Sequence, residues 1–259
     1  MVGLRLVLGV AEAFFFVAGF AALADLAPPS RVGEALSINS LSLYLGIALG
    51  PLVGQALLVA GGYTPAWLGA AVLALAAALL ASRLPETRAR AREHASDEPP
   101  PALIHRPAIV PGLLLLAGIT AMAGFFTFAA LHAEDIGVDV WSLVLLEFGL
   151  IVVATRVLFR KLPDRVGPYR LGAAALAVSA VGAAMVALVP TAAGLFVGAG
   201  ILAAGVAFTT PAFFAAILAR TAPHERGAAM GTMTISIDLA IGGGPMLMGF
   251  VAAAAGIPA

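Results

Sequence analysis

The sequence predicts an all-α membrane protein with eight transmembrane helices, and three observations predict it. Hydrophobic residues make up 61% and charged residues 11% of the 259 positions, against roughly 25% charged in a soluble domain. So little charge cannot cover a water-facing surface. The apolar residues gather into eight runs, at 4–26, 34–60, 64–82, 108–131, 141–159, 169–189, 192–219 and 228–255. Each is about 19 residues or longer, enough to cross a bilayer as helix. Apolar and polar residues do not alternate with period two, which speaks against a membrane β-barrel.

The first run carries two charges. Arg5 and Glu12 share a helix face about 10 Å apart along the axis and can share a polar cavity. The alternative is that Arg5 snorkels to the surface while Glu12 bonds to another helix. Arg5 and Ala11-Glu12-Ala13 faintly resemble a signal peptide, but the run continues to Ala24, too long for that class. In the second run Gly46, Gly50 and Gly54 lie along one face, where small residues let a neighbouring helix approach. Pro51 removes a backbone donor, frees the carbonyl of Ile47 and favours a bend. Asn39, the only asparagine, reads as a helix-to-helix hydrogen bond.

After the third run, residues 84–106 are polar, with charges of both signs and Pro99-Pro100-Pro101. They read as a linker between two bundles. The fourth and seventh runs carry Phe125, Phe126, Phe208, Phe213 and Phe214. With Phe14, Phe15 and Phe16, these serve either helix packing or a pocket for a lipophilic substrate. The fifth run holds Glu147 in its outer third and Arg156 nine positions on, hence on the opposite face. Arg156 stands near Arg160 and is placed to support the loop around Asp164. The eighth run holds Asp238 near its middle.

The second and eighth runs are related. Gly33, Ala35, Ser42, Leu45, Ile47, Gly50, Pro51 and Gly62 recur at one constant offset as Gly227, Ala229, Ser236, Leu239, Ile241, Gly244, Pro245 and Gly256. Each copy has an Ala-Pro turn, an Arg, a Gly, an apolar stretch and Gly-Pro. A repeat inside an apolar chain points to a transporter built from two related halves. Where the copies align, one has Tyr44 and the other Asp238.

The loops predict the orientation. Arg31, Arg83, Arg88, Arg90, Arg92, Arg106, Arg160, Lys161, Arg165, Arg170, Arg220 and Arg226 fall in alternate loops or at their edges. The intervening loops, near Gly61-Gly62-Tyr63, Glu134 to Asp139 and Pro190-Thr191, have no Lys or Arg. The positive-inside rule places the first set, with linker 84–106, in the cytoplasm of a cell (plasma or inner) membrane.

Several segments resemble the major facilitator superfamily. Gly46-Ile-Ala-Leu-Gly50-Pro51-Leu-Val-Gly54 is similar to the G-x-x-x-G-P-x-x-G motif of that family's fifth helix, typical of its drug:proton antiporters. The family pattern ends in a second Gly, and Gln55 stands there. Arg5-Leu-Val-Leu-Gly9-Val-Ala11 resembles the R-x-x-x-G-x-x-A motif of the fourth helix. Leu162-Pro-Asp164-Arg165-Val-Gly167 resembles the cytoplasmic G-x-L-x-D-R-x-G signature, with Arg160 in place of its first Gly.

The resemblance implies that the eight runs form part of a twelve-helix two-bundle transporter fold, as helices four to eleven. The expected domains are 1–83 (remainder of an N-terminal bundle, three spans), 84–106 (linker) and 107–259 (a C-terminal bundle, five spans). The chain is then either a fragment, the favoured reading, or a reduced protein.

Charges inside a membrane are costly and mark functional positions. Asp238, Glu12 and Glu147 are therefore the proton-coupling candidates. Arg5, Gly46, Gly50, Pro51, Gly54, Arg156, Asp164, Arg165, Gly167, Gly244 and Pro245 are the gating and motif residues. For Asp238 the alternative is a structural bond to a hydroxyl such as Thr234.

The expected function is secondary active transport of small molecules, as proton-coupled efflux by alternating access. The expected partners are a substrate, protons and the bilayer, with no nucleic acid, and the full-length protein is expected to be a monomer. The alternatives are a sugar or metabolite facilitator or symporter, and a fragment that does not transport. An enzyme is not expected: H-E-x-x-H, G-x-S-x-G and cysteine are absent. Neither is a cofactor or metal, since His94, His105, His132 and His224 lack ligand spacing.

Overall fold

A computed structural model describes Val32–Leu84, Ile104–Phe159, Leu162–Thr221 and Glu225–Ala254, with isolated helical positions between Gly3 and Leu26. Arg5, Glu12, Arg160, His94, His224 and most of the linker lie outside the described residues, as do the side chains of Asn39 and Asp164.

The described residues form helices throughout. They are α1 (Val32–Gly61), α2 (Tyr63–Ala81), α3 (Ile109–Asp135) behind a 3-10 turn at Arg106–Ala108, α4 (Ser142–Leu158), α5 (Leu162–Val166), α6 (Pro168–Leu188), α7 (Ala192–Leu218) and α8 (Arg226–Ala254). Seven of the eight expected runs thus fold as helices. Six spans among the described residues are long and apolar enough to cross a membrane. The exception, α4, has 17 residues and rises about 25 Å, somewhat short of a hydrocarbon core of about 30 Å. The fold is an all-α membrane fold.

The chain divides into two compact units, residues 1–43 with 57–99 and residues 44–56 with 100–259. In the first, α2 has no buried residue. Its entry turn needs Gly62, whose φ is 78°.

The second unit packs around α7, whose middle is the most buried of the candidate spans among the described residues. Small residues make this possible. A Cβ on Gly205 would meet the Ala175 carbonyl and the Ser179 amide nitrogen, each at 2.6 Å, and a Cβ on Gly198 would meet the Val186 amide at 2.9 Å. These pairs advance in opposite senses on α6 and α7, so the two helices run antiparallel with their backbones in contact. Such close approach is how membrane helices gain packing without a hydrophobic driving force. Helix α7 starts on Thr191, whose Oγ1 accepts the Gly194 N–H at 3.1 Å, an N-cap that satisfies one unpaired donor.

Helices α3 and α8 pack in parallel. A Cβ on Gly112 would meet Ser236 Oγ at 2.6 Å, Gly244 faces Thr120, and Gly124 faces Met248. The pairs advance in step on both helices. The two Gly-Pro copies therefore differ in setting. Gly244 is buried against α3, whereas Gly50 is exposed. Pro51 and Pro245 both lie inside continuous helices.

The turn into α6 depends on Gly167, at φ 82°. With ψ at 144°, an L side chain there is strained by about 1–3 kcal/mol. Gly167→Ala is accordingly expected to destabilise the protein by about that amount, read as a lower melting temperature in detergent. An unchanged melt would show that the turn relaxes freely.

Candidate transport site

Among the described residues of the second unit, the expected glycine face of α1 makes no close approach. Within the second unit and among the described residues, a Cβ on Gly46, Gly50 or Gly54 would meet nothing within 4 Å. The close approach lies on another face and uses a glycine of the partner helix. A Cβ on Gly149 of α4 would collide with Ala48 and would lie 2.8 Å from the Tyr44 carbonyl oxygen. Tyr44 is 5% and Ala48 0% exposed.

Two polar contacts flank this crossing. At one side the Arg156 guanidinium carbon lies 4.8 Å from the Tyr44 ring centroid, a cation–π contact. At the other, Gln55 Nε2 donates to the Asp139 carbonyl at 3.1 Å, and Gln55 Oε1 accepts the Ser142 N–H at 3.2 Å.

Arg156 also donates from Nε to the Ala207 carbonyl of α7 at 3.0 Å. The sequence explains why that carbonyl is available. Pro211, inside α7, has no N–H to return to the residue four before it. Arg156 takes the place of the missing donor. The described contacts of Arg156 go inward, to α1 and α7, while the Asp164 side chain, its other expected neighbour, lies outside the described residues.

Glu147 also turns toward α7. Its Oε1 would lie 3.6 Å from a Cβ on Gly200, and its Oε2 is shielded from solvent with no hydrogen-bond partner. Gly200 and Ala207 are seven positions apart, on one face of α7. The two intramembrane charges of α4 therefore reach one stripe of the central helix, although their own positions on α4 are opposite. Nearby in sequence, Phe148 stacks on Phe125 at 5.6 Å between centroids and meets Phe126 edge-on at 4.9 Å. Phe208 and Phe213 are core residues at 8% and 1% exposure, which fits packing.

Asp238 is exposed on α8. The Thr234 hydroxyl, its expected alternative partner, donates instead to the Met230 carbonyl at 3.1 Å. In the signature loop Arg165 is exposed and Gly167 sets the turn. Among the described residues no group of His, Asp or Glu could hold a metal ion. A pair the sequence did not single out joins the start of α3 to α8. His105 Nε2 lies 3.7 Å from Glu225 Oε2, and the His105 N–H donates to Thr232 Oγ1 at 2.9 Å.

The sequence model of the Major Facilitator Superfamily matches residues 1–245. The chain belongs to that superfamily. An uncharacterized MFS-type transporter of Salmonella typhimurium (strain LT2) is 27% identical over 238 residues, covering 92% of this chain and 60% of the relative. Uncharacterized MFS-type transporters of Burkholderia mallei (strain SAVP1) and Burkholderia pseudomallei (strain K96243) are each 30% identical over 268 residues, covering 100% of this chain and 62% of the relative. The chain spans about three fifths of the length of these curated relatives. No solved structure matches it.

As a member of a transporter superfamily, this multi-pass membrane protein is placed among transporters rather than enzymes. Three features of the site in this superfamily member were not singled out in the sequence. Gly149 is one small residue among many. Gln55 was noted only as a departure from the family's glycine. The Arg156–Ala207 bond was findable, because Pro211 inside an apolar run announces an unpaired carbonyl four residues earlier.

Proposed function

We propose that this protein works in secondary active transport of small molecules, as proton-coupled efflux by alternating access. Two bundles, residues 1–83 and 107–259, move about a cytoplasmic linker at 84–106 in a cell membrane. The single observation that supports the coupling is Glu147, a carboxylate inside an apolar helix with one oxygen shielded and unpartnered. Such a group is expensive in a membrane, and a proton taken up in one state and released in another returns that energy. Coupling requires that proton and substrate bind the two states with different affinity. Asp238, exposed on α8, and Glu12 are the further carboxylates on this route. The full-length protein is read as a monomer that takes small-molecule substrates.

The test is efflux of a panel of preloaded fluorescent dyes from cells producing the protein, driven by an imposed pH gradient. Glu147→Gln is expected to lower gradient-driven efflux by about tenfold or more, with Asp238→Asn as the comparison. Equal efflux by Glu147→Gln and parent at every pH would remove Glu147 from the coupling. Dye uptake driven by the same gradient would replace export with import.

A further inference from the structure

The contact between α1 and α4 is held at its arginine-free end by one side chain. Gln55 uses both ends of its amide on backbone groups of the α3–α4 connection, donating to the Asp139 carbonyl at 3.1 Å and accepting from the Ser142 N–H at 3.2 Å. Ser142 opens α4, and its N–H is one of the amides that a helix start leaves unpaired. The residue before it, Trp141, gives no side-chain cap. Gln55 thus supplies from another helix the acceptor that the local sequence lacks. The counterpart in the second repeat is Gly249, which has no neighbour within 4 Å for an added Cβ and could make no such bridge.

We infer that Gln55 is a positioning residue for transport: a clasp that holds the outer end of α1 against the α3–α4 connection and favours the conformation closed on that side. This rests on the alternating-access reading above. The three contacts along α1 have different strengths of commitment. Ala48 and Gly149 are packed backbone to backbone, and Arg156 is tied to both Tyr44 and α7. The Gln55 bonds lie at the part-buried to exposed end, where water can replace them. That end can open while the rest of the contact holds. Ser142, Leu145, Gly149, Val152 and Arg156 share one stripe of α4 by helical spacing, so opening would expose Leu145, which is 7% exposed here.

The chain contains no cysteine, so one introduced thiol is the only one. The experiment measures the rate at which a membrane-impermeant maleimide labels Leu145→Cys from the outside in intact cells. Gln55→Met, similar in shape but unable to hydrogen bond, is expected to raise that rate by about tenfold. Gln55→Glu keeps an acceptor for the Ser142 N–H and loses the donor to Asp139, and is expected to fall between. A second thiol at Leu195→Cys, 0% exposed in the core near the outer start of α7, reports general loosening. Unchanged labelling of Leu145→Cys in Gln55→Met would overturn the inference, and so would a parallel rise at Leu195→Cys, because the bonds would then serve folding alone. The labelling uses neither substrate nor proton gradient. A rise at Leu145→Cys in a protein that moves no dye would leave the clasp standing and remove only the export reading.

Discussion

Gly205→Leu is expected to lower the melting temperature of the purified protein in detergent by roughly 6 to 12 °C, the effect of about 3 kcal/mol of overpacking in a domain of this size. The reason is what a side chain there would meet. Its first carbon would lie 2.6 Å from both the Ala175 carbonyl oxygen and the Ser179 amide nitrogen. A flexible neighbour can rotate away from a new methyl, but backbone cannot. Helix α6 would have to move off α7, the most buried helix of the unit, and every contact along their antiparallel seam would loosen with it. Gly249→Leu provides the control, since a Cβ at Gly249 meets nothing within 4 Å, and it should leave the melt within about 1–2 °C of the parent. If both variants melt alike, the close α6–α7 packing is not what holds the unit together.

Arg156→Met should destabilise the protein by about 2 kcal/mol, because it strands a buried carbonyl. Methionine keeps much of the packing volume and removes the donor. The Ala207 carbonyl then has neither the Arg156 guanidinium, now at 3.0 Å, nor an N–H from Pro211. The origin of the effect can be isolated. Pro211→Ala supplies the missing N–H within α7, so the Ala207 carbonyl regains a partner. In the Pro211→Ala background, Arg156→Met should therefore cost about 1 kcal/mol less than it does alone, a coupling readable by a double-mutant cycle of melting or denaturant midpoints. Strictly additive losses would show that Arg156 does not act through the proline-freed carbonyl.

The helices themselves were legible from composition and run length. The expected run 192–219 became Ala192–Leu218, and 169–189 became Pro168–Leu188. Apolar runs long enough to span a membrane have few alternatives, since every backbone group must be paired inside the segment. The positive-φ turn at Gly167 was not singled out, whereas Pro51 and Pro245 were legible as interior prolines. Contact faces were less so. Gly46, Gly50 and Gly54 form the most regular small-residue stripe in α1, yet the approach to α4 is made at Ala48 against Gly149. In a chain this rich in glycine and alanine, small residues stand on every face of a helix. Hydrophobicity cannot choose among faces that are apolar all round.

The charged residues divide the same way. That Glu147 and Arg156 are functional candidates follows from the cost of charge in hydrocarbon, a property of residue and position alone. That both reach the Gly200–Ala207 face of α7 does not follow from their opposite positions on α4. It depends on side-chain length and on where α7 passes. Asp238 and Tyr44 occupy equivalent places in the repeat, but one is exposed and the other buried beneath Arg156. The sequence alone determined the class, the spans, the family and the residues worth watching, because these depend on composition and local backbone chemistry. Only the tertiary structure decided which faces meet, which carbonyl Arg156 satisfies and what Gln55 holds. Those choices are set by shape between segments far apart in the chain, and no local rule encodes them.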